Sequence, residues 1–477
     1  MKIVRKILGG VFLLFLLMAA DVWIQERHPL EREELGALVY LEKGQERLAS
    51  LEPVLAPAQE LELGTEAEPE PEPEQRPLPE ELPAVYDYRQ EGRAPVVKDQ
   101  EQVNNCWAYA GTSALESALL PEETSVFSAD HMTYHNSYAF APEEGGAYVM
   151  AVAYLASWQG PVSEEEDPSG DGESPEGLSP VKQVLDVRFL GDKNYDAIKW
   201  TILQYGGVES SIYMDFTQED GSSASYSPDA CSYCYLGETE SNHDVLIIGW
   251  DDTYPAENFL QQPEGNGAFI CQNSWGEEFG DGGIFYVSYY DRNIGKNTAA
   301  YTRIEDAGYF DKVYQSDLCG WTGQVGYNTE EAWFANVYTA EQAEQLEAAG
   351  FYATGPESTY EIYGVKEFAD SSSLNKRSLL GEGYLEYGGY YTVEFSKEIS
   401  LREGERFALV VHISTKDAIY PIAVEYEQKE DPRYTVTLED GESYISDKGK
   451  VWTRAEEECQ SNVCLKAYVS RQEQTGQ

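Results

Sequence analysis

Cys106 is the residue of this sequence best placed to act as a nucleophile. It follows Asn104-Asn105, a residue type that favours helix N-caps, and it precedes an apolar pattern at helical spacing that ends before Pro121. Cys106 is therefore predicted in the first turn of a helix, where the helix dipole favours the thiolate, the reactive form of a thiol. A buried structural thiol is the alternative that this segment alone leaves open.

A thiolate needs a proton partner, and the chain offers five histidines: His28, His131, His135, His243 and His412. His28 falls in a spacer and His412 in a strand far downstream. His131 and His135 have the spacing of a helical metal pair, but Met132 stands where a zinc-protease motif needs glutamate, so a surface or core helix face is expected there. His243 directly precedes the buried strand predicted at 245–250, and a rigid strand holds a catalytic base well.

Asn273 and Trp275 complete a candidate catalytic group. Asn273 ends a predicted strand, and its amide oxygen can accept a hydrogen bond from an imidazole and fix the tautomer and orientation of the ring. Trp275 would cover that pair and keep water out. A glycine-rich turn between strands also fits this segment, but it does not explain the occurrence of Asn-Ser-Trp-Gly beside Cys106 and His243.

Taken together, these segments resemble the papain-like (C1 family) cysteine peptidases, of the bacterial type that carries a C-terminal lectin-like domain. The resemblance covers roughly residues 85–302, and its three parts, Gln…Cys-Trp-Ala, Asn-His-x-Val and Asn-Ser-Trp-Gly, occur in the family's order. It implies that Cys106 is the nucleophile, His243 the general base and acid, and Asn273 the residue that orients the imidazole.

The same resemblance implies roles for Gln100 and for the pair Gly145-Gly146. The side-chain amide of Gln100 would complete an oxyanion hole with the backbone N–H of the nucleophile, and the glycines would give a peptide substrate its main-chain hydrogen bonds. Two residues depart from the family's pattern: Val103 replaces the cysteine of a disulfide, so that bridge is absent, and Asn104 replaces a flexible glycine.

The spacing of the catalytic segments agrees with the family except in one loop. His243 follows Cys106 by 137 residues, within the roughly 130–150 expected, whereas Asn273 follows it by 167. The excess falls in the polar stretch 251–267, which contains Pro, Asn and Gly. This stretch is predicted to be a surface loop that leaves the two strand ends free to meet.

The composition limits the partners of the chain. Its 477 residues include 33 Lys+Arg and 85 Asp+Glu, a formal net charge of −52, so nucleic-acid binding is excluded as a main function. Of seven cysteines, six could pair in an exported protein and one would remain a thiol. A metal site of two distant pairs is the alternative, but zinc-ribbon features are missing, so no metal and no cofactor are expected. These pairs are Cys231 with Cys234 and Cys459 with Cys464.

The first 83 residues predict export and a spacer. Lys2, Arg5 and Lys6 precede an apolar stretch at 7–20, so 1–24 is predicted to be a signal peptide or an uncleaved membrane anchor, the chain's only contact with a membrane. The acidic, Pro/Glu-rich residues 25–83 are predicted to be an extended spacer, with a short propeptide as the alternative. The expected location is extracellular or at the cell surface.

The order of elements predicts an α+β protein. The resemblance implies that residues 84–304 form a peptidase with a helical lobe and an antiparallel, barrel-like sheet lobe, and helices are predicted at 148–158 and 196–203. Regular short strands then predict an all-β sandwich over 305–470, interrupted by one helix at 340–349. Within it, 443–452 resembles a segment of the lectin-like domain.

We therefore expect an exported cysteine endopeptidase that hydrolyses peptides or proteins, with cell-surface glycans as candidate partners of the C-terminal domain. The alternative is a surface adhesion or carbohydrate/protein-binding protein with a vestigial peptidase fold. The presence of Gln100, Cys106, His243 and Asn273 favours the enzyme, because a vestigial site would be expected to have lost one of them. Transglutaminase-like acyl transfer also uses Cys and His, but normally with Asp as the orienting residue.

Overall fold

The structure is a computed structural model that describes residues 37–40, 78–216, 222–426, 436–438 and 442–471. The chain separates into two compact units, Met1–Ala37 and Leu38–Gln477, and all the described helices belong to the second. The predicted signal or anchor segment and most of the predicted spacer lie outside the described residues. Within the described part, no helix is both long enough and apolar enough to cross a membrane.

Helices are concentrated in the first half of the described chain. They are α1 (Tyr88–Glu91), α2 (Cys106–Leu119), α3 (Ala129–Tyr134), α4 (Tyr148–Ala156), α5 (Tyr195–Gln204) and α6 (Ala455–Glu458). Short 3-10 helices cover Pro142–Glu144, Ala256–Asn258 and Ser371–Asn375.

Strands run through the whole described chain. The first eleven are β1 (Ala37–Tyr40), β2 (Val85–Asp87), β3 (Lys182–Phe189), β4 (Val208–Ile212), β5 (Tyr226–Ser227), β6 (Ser232–Tyr233), β7 (His243–Asp251), β8 (Ala268–Gln272), β9 (Ile284–Ser288), β10 (Lys296–Asp306) and β11 (Lys312–Tyr314). The others are β12 (Gly323–Gly326), β13 (Glu331–Thr339), β14 (Glu344–Ala353), β15 (Ser358–Val365), β16 (Ser378–Leu385), β17 (Gly388–Leu401), β18 (Arg406–Thr415), β19 (Ile422–Tyr426), β20 (Ser443–Ser446), β21 (Thr453–Arg454), β22 (Ser461–Val463) and β23 (Leu465–Arg471).

The helical lobe is built around α2, a largely buried helix rich in small residues. At Gly111 a Cβ would lie only 2.8 Å from the Cβ of Ala151, so glycine allows α2 and α4 to pack closely. The other side of α2 packs against strands β4, β7 and β10. The helices predicted at 148–158 and 196–203 are confirmed as α4 and α5.

The sheet lobe holds the second half of the candidate site. Its strands follow the order β10-β4-β7-β8-β9-β6-β5, with β2 also paired to β7, and nearly all pairs are antiparallel. Residues 243–250 of β7 are all buried, which explains the continuous apolar pattern at 245–250. The polar stretch 251–267 connects β7 to β8, as predicted for a loop. The predicted α+β class and the two-lobed arrangement are confirmed.

The C-terminal region is an all-β sandwich, as predicted. One sheet has the order β16-β15-β18-β13-β20-β21, and the strands β11-β23-β14-β17 form part of the other. A smaller sheet of β1-β12-β19-β22 completes the region. Phe334, Phe351, Leu409 and Ile422 belong to one buried apolar cluster that these sheets share.

A continuous sheet joins the two regions, which the sequence did not predict. Strand β17 of the sandwich pairs with β3, which belongs to the preceding two-lobed region. Gly388 lies opposite Phe189, and Tyr390 lies opposite Val187. The resulting sheet has 13 strands and extends from β11 to β5. At Gly389 a Cβ would lie 2.0 Å from the carbonyl oxygen of Val187, so glycine is required for this pairing.

The helix predicted at 340–349 is wrong. Residues 344–353 form β14, which pairs with β17 on one side and β23 on the other. The Ala-, Glu- and Gln-rich sequence favours a helix locally, but two strand partners and burial of Leu346 and Phe351 override that preference.

The structure contains none of the disulfides that six of the cysteines could form in an exported protein. All seven cysteines are free thiols, and all except Cys231 are buried. Cys234 and Cys459 act as small apolar core residues, and burial raises the pKa of each thiol to about 12. The described residues contain no group of three or more side chains arranged to hold a metal ion.

Candidate active site

Cys106 is the first residue of α2, at the position that the sequence predicted. Its side chain is only 9% exposed, so solvent reaches little of the thiol. Asn105 takes the N-cap position, but its side chain makes no capping bond and instead donates to the Oγ1 of Thr133 at 3.2 Å. The start of α2 is thereby tied to α3, and the N-terminal end of the helix dipole lies at the sulfur.

His243 begins β7 and forms a hydrogen bond with Asn273, the residue that follows β8. The distance from Nε2 of the imidazole to Oδ1 of the amide is 2.8 Å, and both residues are at least 95% buried. The backbone N–H of Ser274 also donates to Oδ1, at 2.8 Å, which fixes the amide orientation. Because an amide oxygen can only accept, the imidazole carries its proton on Nε2, and Nδ1 is the basic nitrogen.

Trp275 covers this pair. Its ring centroid lies 5.0 Å from that of His243, with the planes tilted by 41°. Phe216 and Phe279 contact the other parts of the indole edge-on, at 5.2 Å and 5.1 Å between centroids. An aromatic cluster therefore lies next to the imidazole. It lowers the local dielectric constant, and the hydrogen bond between His243 and Asn273 is stronger as a result.

Gln100 lies between the nucleophile segment and the residue after Asn273. Its Nε2 donates to the carbonyl oxygen of Val103 at 2.7 Å, and its Oε1 accepts from the Oγ of Ser274 at 2.6 Å. Its backbone N–H donates to the carbonyl oxygen of Ser274 at 2.8 Å. Two hydrogen bonds thus hold this side chain in one orientation, a third holds its backbone, and one N–H of its amide remains beyond the bond to Val103.

The pair Gly145-Gly146 lies against the nucleophile segment. A Cβ at Gly146 would be 2.3 Å from the indole nitrogen of Trp107, and a Cβ at Gly145 would be 3.5 Å from the carbonyl oxygen of Asn104. Gly145 also has a φ of +80°, which glycine adopts without strain. The absence of side chains therefore lets this backbone pack closely against Asn104 and Trp107, which flank the nucleophile position.

The packing of α2 against β7 brings the two halves of the group to one place. Cys106 begins the helix and His243 begins the strand, and the two elements are in direct contact. A small cavity behind them is lined by both elements and by Gln272, Asn273 and Ser274. All the candidate residues named from the sequence thus fall in one region, whereas the His131–His135 pair lies elsewhere.

His131 and His135 form a ring contact on the helical lobe, with centroids 4.4 Å apart and planes tilted by 30°. Nδ1 of His131 forms a hydrogen bond with the hydroxyl of Tyr154 at 2.6 Å. Burial, and then the neighbouring His135, lower the pKa of His131 to about 4. This helix face is part of the core.

The sequence did not single out the ion pair between Lys98 and Glu116. Nζ of Lys98 lies 2.7 Å from Oε1 of Glu116 and also donates to the carbonyl oxygen of Phe127 at 2.7 Å. Burial raises the pKa of Glu116, and the ammonium of Lys98 opposes that rise. This pair fixes the segment before Gln100 to α2. The sequence did contain one indication of this ion pair: Glu116 lies in a helix that is otherwise largely apolar and therefore buried, where a carboxylate needs a partner.

Ser274 is the second missed residue, because its role depends on a contact with a residue 174 positions away. In the sequence it is only the second member of Asn-Ser-Trp-Gly. In the structure its hydroxyl anchors Gln100 and its N–H anchors the amide of Asn273. It therefore links the two hydrogen-bonded parts of the candidate site.

Comparison with known proteins identifies two regions of the chain. Residues 82–304 match the family model "Papain family cysteine protease", and residues 313–469 match the model "Lectin like domain". The chain is 28% identical over 227 residues to the probable cysteine protease RD19B of Arabidopsis thaliana, covering 45% of this chain and 60% of that protein. It is 25% identical over 219 residues to cysteine proteinase 15A of Pisum sativum, covering 43% and 58%.

Solved structures resemble a larger part of the chain. A structure of the clostridial cysteine protease Cwp84 after propeptide cleavage has a TM-score of 0.72 at 25% identity and covers 81% of this chain and 99% of that one. A structure of the cysteine protease and lectin-like domains of Cwp84 from Clostridium difficile has a TM-score of 0.70 at 24% identity, covering 82% and 89%. The chain spans about 60% of the length of the curated relatives and most of both solved chains.

Proposed function

Because residues 82–304 are a papain-family (C1) cysteine protease domain and residues 313–469 a lectin-like domain, we propose that this chain is an exported cysteine endopeptidase that uses Cys106, His243, Asn273 and Gln100. The observation that supports these roles most directly is the buried hydrogen bond of 2.8 Å between His243 and Asn273. Because Nε2 donates in that bond, Nδ1 is the nitrogen that we propose as the base.

In the proposed reaction, Nδ1 of His243 takes the proton of the Cys106 thiol, and the sulfur attacks the carbonyl carbon of the scissile peptide bond. The tetrahedral intermediate carries its negative charge on the former carbonyl oxygen. When it collapses, the C–N bond breaks and the imidazolium returns the proton to the leaving amine, which gives a thioester on Cys106. Water, deprotonated by the same imidazole, then hydrolyses the thioester and releases the acid and the thiol.

The oxyanion of that intermediate needs donors that are already in place. The proposed donors are the backbone N–H of Cys106 and the second N–H of the Gln100 amide. The hydrogen bonds from Gln100 to Val103 and Ser274 support this role, because they hold the amide in place before the reaction begins. No free energy is then needed to orient the donor when the oxyanion forms. Gly145 and Gly146 would pair with the backbone of the substrate, and Trp275 would exclude water from the imidazole.

The test of the peptidase proposal is labelling together with hydrolysis. Incubation with iodoacetamide near neutral pH should alkylate Cys106 selectively. The other buried cysteines are core thiols that the reagent does not reach, and Cys231, which is not buried, should react more slowly because it lacks the helix N-terminus and the imidazole that favour the thiolate of Cys106. A mixed peptide library should be cleaved by the wild-type chain and not by Cys106→Ala. Even labelling of all cysteines, or cleavage that survives Cys106→Ala, would refute the proposed nucleophile. No cleavage at all would favour the vestigial, surface-binding alternative.

Glycan binding is the second candidate function, and a groove of about 510 Å³ in the lectin-like domain supports it. Phe368 and Tyr444 form part of its wall, and Trp452 is its most accessible aromatic ring. Arg406 and Glu442, which form an ion pair, offer donors and acceptors for hydroxyl groups. A flat apolar ring beside planar polar groups suits a sugar, which has both apolar faces and hydroxyl groups. An uncharged sugar is favoured over an anionic one, because the whole chain is strongly acidic and repels anions.

A glycan array probed with the purified chain and with Trp452→Ala tests this second function. Binding that disappears in Trp452→Ala supports the groove as the glycan site. Absence of any signal with the wild-type chain, or signal that is equal in both proteins, counts against it. Thermal unfolding of both proteins controls for misfolding.

The proposed location is extracellular or at the cell surface. Its support is the basic and apolar start of the sequence and the similarity to Cwp84, which is described as a surface layer associated protein. Fractionation of cells that express the full chain, with and without residues 1–24, tests export. Retention of the full chain in the cytoplasmic fraction would contradict it.

A further inference from the structure

Three partly exposed aromatic side chains form a row that crosses from one domain to the other. Tyr148 contacts Phe189 edge-on with 5.6 Å between centroids, and Phe189 contacts Trp321 with 5.9 Å between centroids. Tyr148 and Phe189 belong to the peptidase domain, and Trp321 belongs to the lectin-like domain. We call these three residues the aromatic row. Nothing in the proposed reaction uses it.

The row begins at the proposed substrate-binding backbone. Tyr148 is the first residue of α4 and follows Gly146 by two positions. Gly146 in turn lies against the indole of Trp107, the neighbour of Cys106. The row therefore starts two residues after the backbone proposed to bind a peptide, and its other end is Trp321 of the sandwich.

The turn before Trp321 fixes the position of that residue. Gly320 has a φ of +61°, and a Cβ there would lie 2.8 Å from the hydroxyl of Tyr352 and 3.0 Å from the Cβ of Ala153 on α4. Tyr352 also contacts the Trp321 ring, with 6.1 Å between centroids. Gly320 thus packs between Tyr352 of the lectin-like domain and Ala153 of the peptidase domain, with no room for a side chain. Trp321 directly follows this close contact.

Buried polar groups hold the same turn from below. The backbone carbonyl of Asp317 accepts the backbone N–H of Gly320 at 3.0 Å. The carboxylate of Asp317 forms an ion pair of 2.8 Å with Lys466, and both charged side chains are at most 1% exposed. The hydroxyl of Tyr138, in the peptidase domain, donates to the carbonyl oxygen of Cys319 at 2.5 Å. A passive connection between domains does not need a buried ion pair, which is costly to desolvate and chiefly fixes one geometry.

From these contacts we infer that Trp321 is a substrate-binding residue: the lectin-like domain supplies a remote subsite of the peptidase for a large apolar side chain of an extended peptide. The inference rests on the proposed peptidase function. The two ring-to-ring steps of 5.6 Å and 5.9 Å span at most the length of three to four residues of extended chain, at roughly 3.3 Å per residue. A peptide side chain up to three or four residues beyond the one that meets Tyr148 would therefore contact Trp321.

Two series of fluorogenic peptides test the subsite, one lengthened on each side of the scissile bond, with a single tryptophan moved along an otherwise Gly/Ala extension. In one series, tryptophan at one remote position should raise kcat/KM about tenfold over glycine at that position. This advantage should fall below about twofold in Trp321→Ala and Trp321→Leu and should largely remain in Trp321→Phe. The shortest peptides should be cleaved equally by all four proteins.

Trp333→Ala is the matched control. Trp333 is also a partly buried tryptophan of the lectin-like domain, stacked on His412 with 4.2 Å between centroids, and it makes no contact with the row. Its substitution should leave the positional advantage at tenfold. Equal thermal unfolding and equal alkylation of Cys106 by iodoacetamide show that each variant is folded, and Trp321→Leu serves if Trp321→Ala is not.

The outcomes separate the two proposals. Failure of the wild-type chain to cleave any peptide refutes the peptidase function and the subsite with it. Cleavage without any preference for a remote tryptophan refutes the subsite alone and leaves the row as a packing contact between domains. A preference that survives in Trp321→Ala also refutes it.

Discussion

Replacement of Gln100 by alanine should lower kcat for peptide hydrolysis by about 10²–10³-fold while the alkylation of Cys106 is unchanged. The Gln100 amide is hydrogen-bonded to Val103, in the nucleophile segment, and to Ser274. It is the side-chain donor proposed for the oxyanion hole. Its removal deprives the oxyanion of one donor and leaves the thiol and the imidazole in place.

The magnitude follows from how firmly the amide is held. Loss of one preorganised oxyanion donor costs about 2.7–4 kcal/mol in the barrier. The side chain of Gln100 is buried and fixed by bonds of 2.7 Å to Val103 and 2.6 Å to Ser274, so the full range is expected and not a fraction of it. The same substitution removes two hydrogen bonds from the folded state, about 0.5–1.5 kcal/mol each, which a domain of ordinary stability tolerates.

The assay compares two reactions of the same thiol. Hydrolysis of a fluorogenic peptide passes through an oxyanion, whereas displacement of iodide from iodoacetamide by sulfur does not. Gln102→Ala is the control, since Gln102 is exposed and only two residues away. Gln100→Glu adds a second perturbation, because its carboxylate can still accept from Ser274 but donates no hydrogen bond, and it should lower kcat at least as much as Gln100→Ala.

Three results would refute this reasoning. The first is a kcat for Gln100→Ala within a few-fold of wild type. The second is a large loss in Gln102→Ala, which would mean that the segment Val103–Asn105 has shifted the register of the loop. The third is a parallel fall in the alkylation rate, which would mean that Gln100 maintains the thiol and not the oxyanion hole.

Cys106→Ala and His243→Ala should each abolish hydrolysis without a change in the circular dichroism spectrum, and turnover that persists in His243→Ala would remove this residue from the mechanism. Asn273→Ala should lower kcat by a milder factor of about 10–100, because it removes one hydrogen bond of 2.8 Å that orients the imidazole; an unchanged kcat would contradict that role. Burial raises the pKa of Glu425 to about 7 from an ordinary value of 4.5. The folded state therefore keeps a proton that the unfolded chain releases, and the stabilisation is complete below about pH 4.5 and lost as the pH rises to about 7. Urea unfolding from pH 4 to 8 should show the wild type losing up to about 3 kcal/mol relative to Glu425→Gln over that range, and a difference that does not vary with pH would contradict it.

The candidate site could be assembled from the sequence because catalysis restricts residue types at the ends of elements. A cysteine at a helix start, a histidine at a strand start and an asparagine at a strand end were each visible as local features around Cys106, His243 and Asn273. The supporting contacts were not visible. The bonds of Ser274 to Gln100, and of Lys98 to Glu116, join residues from different segments, and many other residues could have taken their places without changing the local pattern.

The errors have the same origin. The helix predicted at 340–349 followed from local helix preference, and the disulfides followed from a count of cysteines. Neither takes account of the neighbours in space. Strand β14 has a partner on each side, and those backbone hydrogen bonds outweigh the preference of its alanines and glutamates.

By itself the sequence determined the two domain types, the order of the catalytic segments and the residues that they contain, because side-chain chemistry and hydrophobic period are local properties of the chain. Only the tertiary structure decided that β17 pairs with β3 and that Trp321 lies beside Phe189. These contacts join residues more than 130 positions apart, and the backbone hydrogen bonds that pair β17 with β3 are the same for every residue type. The side chains of a strand show that it will pair, but the packing of the whole molecule selects its partner.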